Sequence, residues 1–142
     1  MTLEELQQSV NKDFKLDDTE LDRESVNIPL LHNKYLIHFN KFNLLLKKAD
    51  QEHKTLTRER RDYYSGNADP SVYQVKPFNI KLLKPDVDKY IKADEDMIKL
   101  EQKVTYVQSV VDYLDRTVKI ISNRGFQIKN AIDWRKFTSG VI

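Results

Sequence analysis

Between Asp94 and Phe137, apolar side chains recur at alternating spacings of three and four. Counting in sevens from Met97 gives Met97, Val104, Val111, Val118, Gly125 and Ile132; the partner series is Leu100, Val107, Leu114, Ile121, Ile128 and Arg135. Ten of these twelve positions are apolar, the pattern of a coiled-coil-like helix that buries one seam against its neighbours. The phase passes through Gly125 unchanged. This predicts one continuous helix over 94–140, in which Gly125 lets a neighbouring backbone come close, at ~1 kcal/mol of helix propensity relative to Ala. Ser122-Asn123-Arg124-Gly125 supports the competing reading, a break, because Asn and Gly interrupt helices. A second apolar file, Tyr106, Tyr113, Ile120 and Trp134, flanks the seam, so the apolar arc is wider than a two-stranded coiled coil requires. At ~1.5 Å per residue such a helix is roughly 65 Å long, whereas a compact globule of this chain length has a radius of gyration of only roughly 15 Å. One chain does not easily cover both sides of such a rod. The expectation is a helix that packs on its own chain with one face and on other copies with the other. Leu114, Val118, Ile121, Gly125, Phe126, Ile128, Ile132 and Trp134 are the expected oligomerisation residues. A monomeric bundle is the alternative.

The chain has 142 residues, which favours one domain. The expected division is an acidic N-terminal arm (1–25), a helix ending in a basic and aromatic motif (26–65), a loop-rich connection (66–93) and the long helix. The fold class expected is all-α: long antiparallel helices with an irregular connection that carries short extended pieces. There is no cysteine, so neither a disulfide framework nor a thiolate metal site can form. Charged residues make up 32% of the chain and hydrophobic ones 39%, a balance that suits long solvated helices. No apolar run approaches the ~20 residues that span a bilayer and no signal-peptide pattern opens the chain, so a soluble, intracellular protein is expected. The net charge of +2 hides a split: residues 1–25 carry eight acidic and three basic side chains, −5, leaving +7 for the remainder. An acidic arm on a basic body points to an anionic partner for the body, or to contact between the arm and a basic surface.

Thr2-Leu3-Glu4-Glu5 has the form of a capping box and opens a short helix to about Val10. Asp18 or Thr19 is placed to cap the next helix. Pro29 predicts a kink or restart near Asn27-Ile28. Beyond it a second heptad series, Ile28, Tyr35, Phe42, Ala49, Leu56 and Tyr63, marks the partner of the 94–140 helix, its stripe thinning after Ala49 as charge takes over. Gly66-Asn67-Ala68-Asp69-Pro70 ends that helix. Pro70, Pro77 and Pro85 punctuate the connection, where 72–75, 80–83 and 87–92 are expected as extended pieces before Asp94 caps the long helix.

Catalysis finds little support. His32, His38 and His53 are not spaced as metal ligands, and three glycines, at 66, 125 and 140, cannot build a phosphate-cradling loop. No catalytic residue, metal or cofactor is expected. The stronger site is Arg58-Glu59-Arg60-Arg61-Asp62-Tyr63-Tyr64-Ser65-Gly66. Its three guanidiniums pair with phosphates bidentately, and a neighbouring tyrosine stacks on an unpaired base. Tyr63 lies on the heptad stripe, so Tyr64 is expected to be the freer ring. Lys54 extends this patch. A second basic patch holds Arg124, Lys129, Arg135 and Lys136, which repetition in an oligomer would strengthen. As bare chemistry, a solvated basic face explains these residues as well.

Three elements carry a resemblance: Arg58-x-Arg60-x-Asp62-Tyr63-Tyr64-Ser65-Gly66, Ala93-Asp94-x-Asp96-x-x-x-Lys99, and Ser122-x-Arg124-Gly125-Phe126-x-Ile128-Lys129 with Arg135-x-Phe137 and Gly140. Leu3-Glu4-x-Leu6-Gln7 fits too, and with a compatible helical pattern between these elements the chain resembles, over nearly its whole length, the UvsY recombination-mediator family of T-even-type bacteriophages. The resemblance implies a non-enzymatic, ring-like homo-oligomer of about six or seven subunits. It implies single-stranded DNA binding in the cytoplasm of an infected bacterial host. It further implies that the protein helps a RecA-like recombinase replace the phage single-stranded DNA-binding protein, nucleating the presynaptic filament. The family's two basic positions before Asp-Tyr-Tyr fall on Arg58 and Arg60. Arg58 stands where a lysine is familiar, and Pro29 and the proline-rich connection depart from the family pattern. The alternative from another class is a homo-oligomeric helical scaffold whose basic surface binds an acidic protein and no nucleic acid.

Overall fold

Thr2 accepts the Glu5 N–H on its hydroxyl, and the Glu5 carboxylate accepts the Thr2 N–H, closing the expected capping box. A computed structural model describes residues 1–140 and places seven helices there. They are α1 (Leu3–Asp13), α2 (Leu21–Val26), α3 (Ile28–Tyr64), α4 (Pro70–Val75), α5 (Lys84–Ala93), α6 (Glu95–Ser122) and α7 (Arg124–Thr138). Among the described residues the fold is all-α with no strand. They fall into two compact units: Met1–Phe42 together with the chain from Ser109 onward, and Asn43–Gln108.

In the second unit, α3 and α6 are antiparallel. Their polar side-chain contacts descend one helix as they climb the other: Arg60 with Asp96, His53 with Glu101, Glu52 with Lys103. The core of this unit is aromatic. Tyr63, Tyr64, Val87, Ile91 and Met97 are buried, with Leu56, Tyr73, Phe78 and Leu82 packed against them. In the first unit Tyr35, Leu6, Leu114, Val110 and Ile121 are fully buried. Tyr35 donates to Asp13 at 2.8 Å, and Lys34 reaches the same carboxylate at 2.6 Å, tying α1 to α3.

Pro29 sits in the first turn of α3, after a one-residue gap at Asn27, as expected. Four expectations are corrected. The long helix is interrupted: Asn123 donates to Ile120, three residues back, so one tight turn separates α6 from α7. A Cβ at Gly125 would meet nothing within 4 Å, so among the described residues of one chain no backbone packs close there. The N-cap of α2 is Glu20, without a side-chain cap; Asp17 instead closes a turn onto the Thr19 N–H at 3.0 Å. The connection holds helices at two of the three places where extended pieces were expected, 72–75 and 87–92, because Pro70 and Pro85 lie in first turns, where a missing N–H removes no helical bond; 80–83 is neither helix nor strand. Asp69 accepts the Ser71 N–H and caps α4. The acidic N-terminal segment carries α1 and α2 within the first unit.

Candidate nucleic-acid interface

Four cations, Lys47, Lys54, Arg58 and Arg61, lie on α3 at successive offsets of seven, four and three residues. Side chains at such spacings share one face of a helix. All four are exposed. Arg61 contacts Asp88 at 3.0 Å across solvent-accessible surface, whereas no ion pair engages Lys47, Lys54 or Arg58 among the described residues. An exposed pair such as Arg61–Asp88 is worth about 0–1 kcal/mol and opens readily for a phosphate. The stripe spans about 21 Å at 1.5 Å per residue. Strand binding needs such a run of unengaged cations, since neutralised phosphates release their counterions.

Arg60 belongs to a different face. Its guanidinium reaches Asp96 Oδ2 at 2.7 Å, and its Nε lies 3.1 Å from Asp94 Oδ2. That second approach is an ion contact off the angle of a hydrogen bond, so the buried Nε–H is unsatisfied. Asp94 is the centre of this arrangement. Oδ1 accepts the Asp96 and Met97 N–H groups at the start of α6, and Oδ2 accepts the Tyr64 hydroxyl at 2.7 Å. Burial pushes the Asp94 carboxyl up, but the Tyr64 hydroxyl, the Met97 N–H and Arg60 outweigh it and hold it below the ordinary 3.8. The same burial, with the Asp94 hydrogen bond and charge, raises the Tyr64 hydroxyl well above its ordinary value.

Tyr64 is therefore not the freer ring. It is 9% exposed, its ring meets Phe78 edge-on at 5.2 Å, and its hydroxyl is held by Asp94. Tyr63 is buried beside it and stacks on Tyr73 at 5.3 Å, donating to the Lys76 carbonyl at 2.9 Å. Both rings hold the connection against α3, so base stacking at this motif has no open face to use.

Arg124 is corrected in the same way. It is 4% exposed; one amino group donates to the Phe14 carbonyl at 3.3 Å, and the other to Lys15 O at 3.4 Å and Glu24 at 2.8 Å. The Phe14 carbonyl belongs to the C-cap of α1, the negative pole of that helix, and Lys15 follows it. Arg124 thus joins α7 to α1 and α2 and is withdrawn from the basic surface. Lys129 remains exposed without an ion pair among the described residues, and Arg135 pairs with Asp18, including a short contact to its carbonyl.

The expected oligomerisation residues separate into two sets. Leu114, Ile121 and Ile128 are buried within their own chain, and Val118 is partly covered. Gly125, Phe126, Ile132 and Trp134 are exposed, joined by Phe137; Trp134 is 66% exposed and stacks on Phe137 at 5.8 Å. Lys47, not among the candidate contacts that the sequence singles out, extends the row one heptad before Lys54. Among the described residues no cluster of His, Cys, Asp or Glu could hold a metal, and no helix is long and apolar enough to cross a membrane.

The family model described as "UvsY: Recombination, repair and ssDNA binding protein UvsY" matches residues 9–141. The recombination protein uvsY of Enterobacteria phage T4 is 29% identical over 140 residues, covering 99% of each chain. Two crystal structures of the bacteriophage T4 recombination mediator protein UvsY are similar throughout. Lattice type II superposes with a TM-score of 0.85 at 28% identity, over 98% of both chains. Lattice type IV gives 0.83 at 27% identity, over 97% of this chain and 99% of that one.

Proposed function

The chain belongs to the UvsY family of recombination, repair and single-stranded-DNA-binding proteins, and from that premise we propose that it is a recombination mediator acting through the α3 stripe. Lys47, Lys54, Arg58 and Arg61 hold the strand by its phosphates. The observation that carries this reading is the row of exposed cations on one helix face, three of which make no ion pair among the described residues and the fourth, Arg61, only a solvent-exposed one. Several copies assembled through the exposed Phe126, Ile132, Trp134 and Phe137 surface repeat the stripe around a ring, and many weak contacts become a firm grip. A strand held in this way is bent away from the single-stranded DNA-binding protein that coats it. It is presented to a RecA-like recombinase for filament nucleation in the cytoplasm of the infected host. No residue acts as a catalyst in this scheme; the work is done by competition for the strand.

The test is anisotropy with fluorescent oligo-dT at two salt concentrations, with duplex as control. Each phosphate neutralised on a single strand contributes about −0.7 to the log–log salt slope. The double change Lys54→Ala with Arg58→Ala is expected to flatten the slope by about 1.4 per subunit that engages the strand. Arg60→Ala is unsuited to this purpose, because it also strips a counter-charge from Asp94. Wild-type protein that ignores oligo-dT at low salt would discard the DNA role and leave the oligomeric scaffold for an acidic protein.

A further inference from the structure

Residues 70–85 contain three lysines, Lys76, Lys81 and Lys84, and no acidic side chain. All three are exposed, and none makes an ion pair among the described residues. The same segment exposes aliphatic side chains: Val72, Ile80, Leu83 and, at 88% exposure, Val75. Its aromatic residues turn the other way, Tyr73 and Phe78 packing on Tyr63. Between α4 and the end of α3 lies a cleft of about 440 Å³, lined by Arg60, Tyr63, Ser71, Val72, Val75 and Lys76. That volume is within the range of sites that enclose a small ligand or side-chain cluster, roughly 300–1,000 Å³.

We propose that this cleft is a docking site for an acidic, aliphatic-rich peptide segment of a partner protein. The chemistry decides between the two polyanions a basic surface can bind. Unpaired bases are gripped by exposed aromatic faces, and here the rings are turned inward while valine, isoleucine and leucine face out. Exposed aliphatic surface beside unpaired cations suits a segment whose aliphatic side chains enter the cleft and whose carboxylates reach the lysines. Lys76 stands at the junction, lining the cleft with its ammonium 6.0 Å from the Tyr63 ring centroid. The inference goes beyond strand binding on α3 and stands independently of it.

The probe is a fluorescein-labelled synthetic peptide of Asp-Asp-Ile-Leu repeats, titrated by anisotropy into the full-length protein. Two controls accompany it: one with Ile and Leu replaced by Ser at equal charge, one with Asp replaced by Asn. Both controls are expected to bind at least about tenfold more weakly than the probe. Val75→Asp and Lys76→Glu change exposed side chains and leave the Tyr63 bond to the Lys76 carbonyl intact. Each is expected to weaken the probe about tenfold while oligo-dT affinity stays within about twofold. Lys54→Ala with Arg58→Ala is expected to do the reverse. Equal binding of probe and Ser control, or unchanged probe binding in both cleft variants, would overturn the proposal. So would loss of oligo-dT binding in Val75→Asp, which would assign the cleft to DNA.

Discussion

The two compact units use buried charge in opposite senses. In the unit of residues 43–108 the buried member is an anion, Asp94, set at the N-terminal end of α6 and faced by a half-buried arginine. In the other unit it is a cation, Arg124, set on the carbonyls that end α1 and faced by a half-buried glutamate. Each buried charge thus meets the helix pole of opposite sign, which lowers the penalty of removing it from water. The aromatic residues are opposed as well. Tyr63, Tyr64, Tyr73 and Phe78 close over the core of the 43–108 unit, while Phe126, Trp134 and Phe137 stand outside the other. An aromatic or basic residue therefore has no fixed meaning along this chain; its role follows from whether a partner of opposite charge or a packing surface is in reach.

Removing the buried cation tests that contrast most severely. Arg124→Met strands Glu24 and unties α7 from α1 and α2, with an expected loss of about 3 kcal/mol in urea unfolding. A loss below about 1 kcal/mol would mean that water already supports the pair. Asp94→Ala removes a helix cap, the Tyr64 hydrogen bond and the partner of Arg60. The sum is expected near 2 kcal/mol, read by the same unfolding experiment.

The pH response sharpens the comparison. Asp94 has a lowered pKa when folded, so its stabilisation is present above the ordinary 3.8 and is lost as pH falls through the folded value. Asp94→Asn is expected to flatten that acid limb, and an unchanged limb would remove Asp94 from the account. Asp13, held down by Lys34 and Tyr35 against its own burial, supplies the corresponding limb of the other unit. At the alkaline end, burial first and then the Asp13 contact push Tyr35 to about 12 from 10.0. Ultraviolet titration should find it ionising well above 10.0, and Tyr35→Phe should lower the amplitude of the late ionisation that it shares with Tyr64.

The smallest effect on folding belongs to the exposed surface. Trp134→Ala should change the stability of the single chain by no more than about 0.5 kcal/mol. It should nevertheless lower the assembled mass in light scattering. An unaltered mass would take Trp134 out of the contact between copies.

The helices were legible where a local signal existed. The capping box at Thr2, the restart at Pro29 and the cap at Asp94 depend on neighbours within three residues. The short helices α4 and α5 are hidden in the sequence because β-branched Val72 and Val75 favour strands, and because a proline that opens a first turn has the same local signature as one that ends an element. The exposed cations at Lys54 and Arg58 were readable from the sequence. Tyr64 and Arg124 were not: their partners Asp94 and Glu24 lie 30 and 100 residues away, and no periodic pattern links them.

The tight turn at Asn123 interrupts the hydrogen-bond ladder and still keeps count. Leu114, Ile121 and Ile128 remain buried on either side of it, so the turn neither adds to nor subtracts from the seven-residue rhythm. Chain length there consequently acts as a dial. Deleting a single residue would rotate everything downstream by about 100°, carrying Ile128 off the core and swinging the outward-facing Trp134 and Phe137 to a different bearing. Insertions and deletions at this position should therefore be far less tolerated than most substitutions nearby.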